Sequence, residues 1–332
     1  MNISIPDPSS SWMAAAGTPG LVSIIIPTHN RARLVAEALT SAARQTYRPL
    51  EIVLVDDAST DDTPAVVARW REQAGHEDVA LQVLRLPDNR GAAAARNHGL
   101  AHASGEFIGF LDSDDLLLSC KTTWQVQVLQ QHPEASHCYG ITGYVDARGE
   151  VVELLGEPAS ADPALEAVRP RCGCMAPLWR REALRRAGPW DEHLTGREDW
   201  VHRARAVLKA GPGVFMNEPV CVKRLHTGKR ISRHGDATFA RHCWECAQAV
   251  KALLAADARA TPAARTELAA QMSGVFRSLL RARADAEAEA VLTAMAALAE
   301  GPRRRHYQRL RKVWFTVGPS ALRMAGRLSG RL

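Results

Sequence analysis

The stretch LVSIIIPTHNRARLVAEALTSAARQTYRPLEIVLVDDAST, residues 21–60, decides the fold. It opens with the apolar run Val22–Ile26, stopped at Pro27, and closes with a second run, Glu51–Val55, that leads into Asp56-Asp57. Between them Leu34, Val35, Ala38, Leu39 and Ala42 recur at helical spacing over Arg31 to Gln45. Short unbroken apolar runs predict strands buried on both faces. A strand, a helix and another strand predict a parallel pair joined by a right-handed crossover. The alternation continues outward. Asp62 to Arg71 is a helix with Thr63-Pro64 in its first turn. Leu81–Leu86 is a third strand, Ala92–Ala103 an Ala-rich helix ended by Ser104-Gly105, and Phe107–Leu111 a fourth strand.

Beyond residue 115 the pattern loosens. Leu116 to Gln131 predicts a helix stopped before Pro133, and Ser136–Tyr144 and Val151–Leu155 predict strands around a turn at 147–149. Glu198 to Ala210 is a helix closed by Gly211-Pro212, and Pro219–Leu225 a late strand. Ala237 to Glu300 is almost all helical, with a break near Thr261-Pro262, and Gly301-Pro302 reads as a hinge. The chain of 332 residues, 46% hydrophobic and 23% charged, is too long for one minimal domain and too apolar for global disorder. Only 5% aromatic residues argues against a propeller or a sugar-binding β-sandwich. No apolar stretch approaches the ~20 residues of a membrane span, and Met1–Ser11 lacks the basic and apolar regions of a signal peptide. A cytoplasmic protein with a loose N-terminal tail is expected.

The net charge of +6 is uneven. Residues 301–332 hold nine of the 42 basic residues and none of the 36 acidic ones, so the tail carries +9 and the preceding residues −3. A basic tail on a neutral body points to a local anionic partner rather than to nucleic acid. Within it, cations alternate with Tyr307, Leu310, Val313, Trp314 and Phe315, a composition suited to an interfacial amphipathic helix; the competing expectation is a helix that packs its apolar stripe on the body. The seven cysteines are expected to be reduced thiols. Cys172/Cys174 with Cys243/Cys246 would make four zinc ligands, but the one-residue spacer and a helical setting for the second pair speak against it.

Ligands of open parallel sheets bind outside the carboxyl ends of the strands. Three such ends carry polar residues: Pro27-Thr28-His29-Asn30, Asp56-Asp57-Ala58-Ser59, and Asp112-Ser113-Asp114-Asp115. Three carboxylates in four residues repel unless a cation compensates them, which suggests a hard divalent ion, Mg²⁺ or Mn²⁺; Asp114 or Asp115 could instead cap the helix expected from Leu116. Asp56 suits an Asx-turn with Ser59, which leaves Asp57 to accept from a base or a ribose. No Gly-x-Gly-x-x-Gly or P-loop pattern is present, so dinucleotide and P-loop readings are weak.

These residues resemble a known family. Ser23-Ile-Ile-Ile-Pro-Thr-His-Asn-Arg31, Gln45-Thr-Tyr47, Glu51 through Asp61, Asn89-Arg-Gly91 with Arg96-Asn97, Phe110-Leu-Asp-Ser-Asp-Asp115, Gly188-Pro-Trp-Asp-Glu192 and Arg197-Glu-Asp-Trp200 occur in order, as in family 2 glycosyltransferases. The resemblance covers about residues 20–230. It implies a GT-A fold, with a Rossmann-like, mostly parallel central sheet flanked by helices, and here a C-terminal helical extension. It implies a nucleotide-sugar donor, most readily a UDP-sugar, with its base near Pro27, Thr28, His29, Asn30 and Asp57. His29 stands where family members often carry a tyrosine, which leaves the base open. Arg90 and Arg96 would lie along the diphosphate, Asp112 toward the ribose, Ser113 at the donor, and Asp114 and Asp112 at the metal. His226 is a further metal or diphosphate candidate, or a surface histidine. Asp199 would be the general base of an inverting displacement onto a hydroxyl of a bacterial glycan, glycolipid or other cell-surface acceptor, as in polysaccharide biosynthesis. The implied layout is a tail at 1–19, a transferase domain at 20–235 with its donor half at 20–120 and acceptor half at 121–235, helices at 236–300 and a basic amphipathic tail at 301–332. That tail could hold the protein at an anionic membrane surface, at the inner face of the plasma membrane. Two other readings stay open: an α/β nucleotidyltransferase, and a non-catalytic membrane scaffold with a degenerate transferase fold. Trp124, Trp179, Trp190 and Trp200 are candidates for sugar stacking or for the core.

Overall fold

The computed structural model describes residue 13 and residues 16–73, 78–169, 172–225 and 237–323. The chain divides into two compact units, Met1–Ala159 with Pro170–Glu192 and Ala206–Gly228, and Ser160–Arg169 with His193–Arg205 and Lys229–Leu332.

In chain order the elements are β1 (Thr18–Thr28), α1 (Val35–Ala43), β2 (Leu50–Asp56), α2 (Thr63–Glu72), β3 (Ala80–Arg85), α3 (Ala92–His102), β4 (Gly105–Phe110), β5 (Leu116–Leu117), α4 (Lys121–Gln131), β6 (His137–Val145), β7 (Val151–Leu155), α5 (Pro163–Val168), β8 (Leu178–Arg180), α6 (Arg181–Ala187), α7 (Glu198–Ala210) and β9 (Val214–Arg224). The helices α8 (Ala237–Ala256), α9 (Pro262–Arg281), α10 (Asp285–Leu298) and α11 (Gly301–Val317) follow.

The first unit is an α/β structure. Its sheet of described strands runs β3-β2-β1-β4-β8-β6-β9-β5, with β7 beside β6. β1 pairs parallel with both β2 and β4, and β2 parallel with β3. Val22 to Thr28 are all buried, as the unbroken apolar run requires of a strand covered on both faces. The chain winds from β1 to β2 to β3, then returns to add β4 on the other side of β1. The carboxyl ends of β1 and β4 therefore border a topological switch point, the place where ligands of open α/β sheets bind.

Several expectations are corrected. The helix expected over Leu116–Gln131 begins only at Lys121. Leu116 and Leu117 instead pair with Val222 and Cys221 of β9, and long-range sheet pairing overrides local helix preference. Asp115 caps no helix: its Oδ1 accepts the backbone N–H of Arg224 at 2.8 Å. The helix expected from Arg31 begins at Val35, and the last strand begins at Val214 rather than Pro219. Within the irregular stretch between residues 131 and 189 the structure adds α5, β8 and α6.

The second unit is helical. Thr261 caps α9 by accepting the Ala264 N–H at 3.1 Å, which explains the break at Thr261-Pro262. α9 packs on α8 and α10, and α10 on α11. Gly301-Pro302 is the first turn of α11 rather than a hinge between structures. No helix among the described residues is long and apolar enough to cross a membrane.

Candidate active site

The end of β1 is pinned to the end of β2. The Asp57 N–H donates to the Thr28 carbonyl at 2.8 Å. Asp56 lies inside the turn that follows: its Oδ1 accepts the Ser59 N–H at 2.9 Å and its Oδ2 accepts Arg85 Nη1 at 2.6 Å. Asn30, at φ 51°, accepts the Thr60 N–H with its Oδ1 at 2.8 Å and so locks the two strand ends together. His29 is held at both ring nitrogens. Nδ1 donates to the Asp57 carbonyl at 2.6 Å, and Nε2 accepts from Asn89 Nδ2 at 2.9 Å. The Thr28 hydroxyl is buried and has no hydrogen-bond partner among the described residues. A buried hydroxyl left so costs ~1–3 kcal/mol, so this site favours a ligand or a water.

Asp57 does not stand free. Its two oxygens accept the Arg90 and Gly91 N–H groups, each at 2.8 Å. It thereby fixes the loop that enters α3, a role its place in the sequence did not reveal. Arg90 in turn donates from Nη2 to Glu192 Oε2 at 2.7 Å, and Asn97 Nδ2 donates to Glu192 Oε1 at 2.9 Å. The 188–192 segment is thus tied to α3.

The end of β4 carries the acids. Arg96, nearly buried, donates from Nη2 to Asp112 Oδ1 at 2.8 Å. Its guanidinium lies 4.7 Å from the centre of the Trp190 ring, which meets Phe110 edge-on at 5.2 Å. Burial pushes the Asp112 carboxyl up, but Arg96, Lys223 and Arg31 outweigh it, and its pKa lies below the ordinary aspartate value. Asp114 Oδ2 is 3.5 Å from Arg31 Nε, and its backbone carbonyl accepts Arg224 Nε at 2.6 Å. Burial, with Asp112 and Asp114 beside it, pushes Asp115 up to about 7 against the opposing pull of Lys223 and the Arg224 N–H. Ser113 is buried.

No three His, Cys, Asp or Glu side chains converge into a metal cage among the described residues. Asp112 and Asp114 do offer hard oxygen donors. That chemistry fits a cation of the Mg²⁺ or Mn²⁺ type held by one or two carboxylates, with phosphates and waters completing its shell. His226 lies outside the described residues.

In the second unit Asp199 sits half-buried in the first turn of α7, with Oδ1 accepting the Trp200 N–H at 2.8 Å. Trp200 is anchored through Nε1 to the Val168 carbonyl at 2.8 Å, and the Arg197 guanidinium stacks 4.7 Å from the centre of its ring. Buried Cys243 nearby has its thiol pushed up to about 11 by burial, with Arg197 opposing and Asp199 and Glu198 adding. Trp179, Trp190 and Trp200 are all core residues, with relative exposures of 3–4%. Arg31, Arg85, Asn89, Glu192 and Arg224 were not legible as partners. Most act across long sequence separations, though Arg31, Asn89 and Glu192 stood within the quoted motifs.

The fold and this strand-end chemistry define a GT-A type protein. Residues 1–349 of TarS from S. aureus, solved with UDP-GlcNAc, superpose with a TM-score of 0.68 at 21% identity, covering 91% of each chain. A mannosyltransferase from Pyrobaculum calidifontis, PcManGT, solved with GDP-Man and Mn²⁺, gives a TM-score of 0.57 at 23% identity over 98% of this chain and 90% of that one. At such identities the likeness is one of fold. Residues 23–184 match the model of Glycosyl transferase family 2. One relative is the Escherichia coli UDP-Glc:alpha-D-GlcNAc-diphosphoundecaprenol beta-1,3-glucosyltransferase WfgD. It is 36% identical over 120 residues, 36% of this chain and 45% of the relative. The chain spans about half the length of this relative and of a similar Haemophilus influenzae protein, 45% and 52%.

Proposed function

We propose that the chain moves a sugar from a nucleotide diphosphate sugar, with a UDP-sugar as the favoured donor, to a hydroxyl of a glycan or lipid-linked acceptor, with inversion at the anomeric carbon. The observation that carries this reading is Asp112, fixed by Arg96 at 2.8 Å beside Asp114, at the switch point of a family 2 domain. UDP-GlcNAc bound to TarS supports the donor class, and so does the donor named for the E. coli relative. The diphosphoundecaprenol in that relative's name supports a lipid-linked acceptor.

Each residue then has a task. The His29 ring, held at both nitrogens, offers a fixed face for a base, and Thr28 supplies a hydroxyl that has no partner in the described structure. Asp57 keeps Arg90 and the entrance of α3 in place for the diphosphate. Asp112 accepts from the ribose, and Asp114, with Asp112, is the side that would hold Mg²⁺ or Mn²⁺. Such a cation, when bound, neutralises the charge that develops on the departing nucleotide diphosphate. Asp199 is the general base. Its Oδ1 is occupied by the Trp200 N–H, which leaves Oδ2 to take the acceptor proton. The acceptor oxygen forms its bond to the anomeric carbon as the bond to the diphosphate breaks on the opposite face, and the configuration inverts.

The test is a panel of nucleotide sugars offered to the full chain, with nucleotide release followed with and without a chelator. Release from one class of donor that stops when metal is removed is expected. Release indifferent to the chelator would remove the metal, and absence of release from every donor would contradict the transferase reading.

A further inference from the structure

Helix α11 has two faces of opposite chemistry. Inward, Tyr307 and Trp314 are buried and Leu310 is half-buried, one stripe at helical spacing. Trp314 Nε1 donates to Glu289 Oε2 at 3.2 Å, and its ring lies 6.2 Å from that of Phe276. The apolar stripe that the sequence offered to a membrane is therefore used within the helical unit.

Outward, Arg304, Arg305, Arg309, Arg311 and Lys312 are all exposed. So are Phe315 and Val317, at 60% and 66%, beside Val313 at 36%. Several other arginines of this unit have carboxylate partners: Arg241 with Glu287 at 3.1 Å, Arg259 with Asp257 at 2.7 Å, Arg265 with Glu300 at 3.1 Å and Arg303 with Glu267 at 3.8 Å. Among the described residues the five outward cations of α11 have no ion pair. Arg305, Arg309 and Lys312 stand at i, i+4 and i+7, where like charges repel. Arg304 and Arg305 also crowd the N-terminal end of the helix, where its dipole disfavours cations. The fold leaves this repulsion uncompensated.

We propose that the outward face of α11 docks on an anionic lipid bilayer. Five cations within nine residues match a surface of lipid phosphates. The exposed Phe315, Val317 and Val313 add apolar anchors at one end of the same helix, which the headgroup boundary accepts and a nucleic-acid backbone does not use. The proposal does not depend on the transfer chemistry.

Flotation of the full chain with vesicles tests it. The wild type should float with an equimolar mixture of phosphatidylcholine and phosphatidylglycerol, not with phosphatidylcholine alone, and raised salt should weaken the association. The triple variant Arg305→Gln, Arg309→Gln, Lys312→Gln should lose on the order of 10²-fold in partition. Phe315→Ser should lose severalfold while every charge remains. Both variants should melt like the wild type, because these side chains are exposed. Equal flotation of wild type and triple variant would overturn the proposal, as would equal binding to both kinds of vesicle. A wild type that ignores vesicles but retards duplex DNA would replace the bilayer with nucleic acid.

Discussion

Lys121 opens α4 fully buried, with Nζ donating to Gln125 Oε1 at 2.5 Å. Burial pulls its pKa down to about 8, although Cys221, Cys138 and Cys172 pull the other way. At pH 7 the ammonium is charged both folded and unfolded, so the whole cost of burying it is present. Between about 8 and about 10.5 the folded group is neutral while the unfolded one is still charged, and stability rises with pH. Unfolding in urea at pH 7 and pH 10 should show the wild type gaining on Lys121→Met by up to ~3 kcal/mol. A constant difference would place the proton elsewhere. At the site, Asp114→Asn should abolish metal-dependent transfer while the melting temperature stays near that of the wild type. Near-normal activity in that variant would move the metal away from Asp114.

Among the elements, α3 and β1 show how closely the first unit is packed. A Cβ on Gly99 of α3 would lie 2.5 Å from Cγ2 of Ile25, a fully buried β-branched side chain with little room to shift. Gly99→Ala should therefore cost about 1–3 kcal/mol in denaturant unfolding; an unchanged midpoint would mean that the helix can lift off the strand. β1, β2 and β4 were legible because each holds a run of buried apolar residues, and such runs carry their own signal. β5 was not legible. Its leucines look helical until Val222 and Cys221 arrive from more than a hundred residues away, and that same approach turns Asp115 from an expected cap into an acceptor for the Arg224 N–H. The acids themselves could be read at the strand ends. The arginines that hold them could not, because a guanidinium that reaches across the sheet leaves no local pattern.

For the whole molecule, the excess of positive charge after residue 300 was plain in the sequence, but which face of the last helix it would occupy was not. Only packing against α10 assigns Tyr307 and Trp314 inward and the five cations outward. Sugar transfer by direct displacement with Asp199 as base is the central claim, and one variant tests it most directly. In Asp199→Asn, turnover should fall by about 10²–10⁴-fold, while calorimetry gives a nucleotide-sugar affinity close to that of the wild type. Turnover near that of the wild type, or loss of donor binding with turnover preserved, would contradict it.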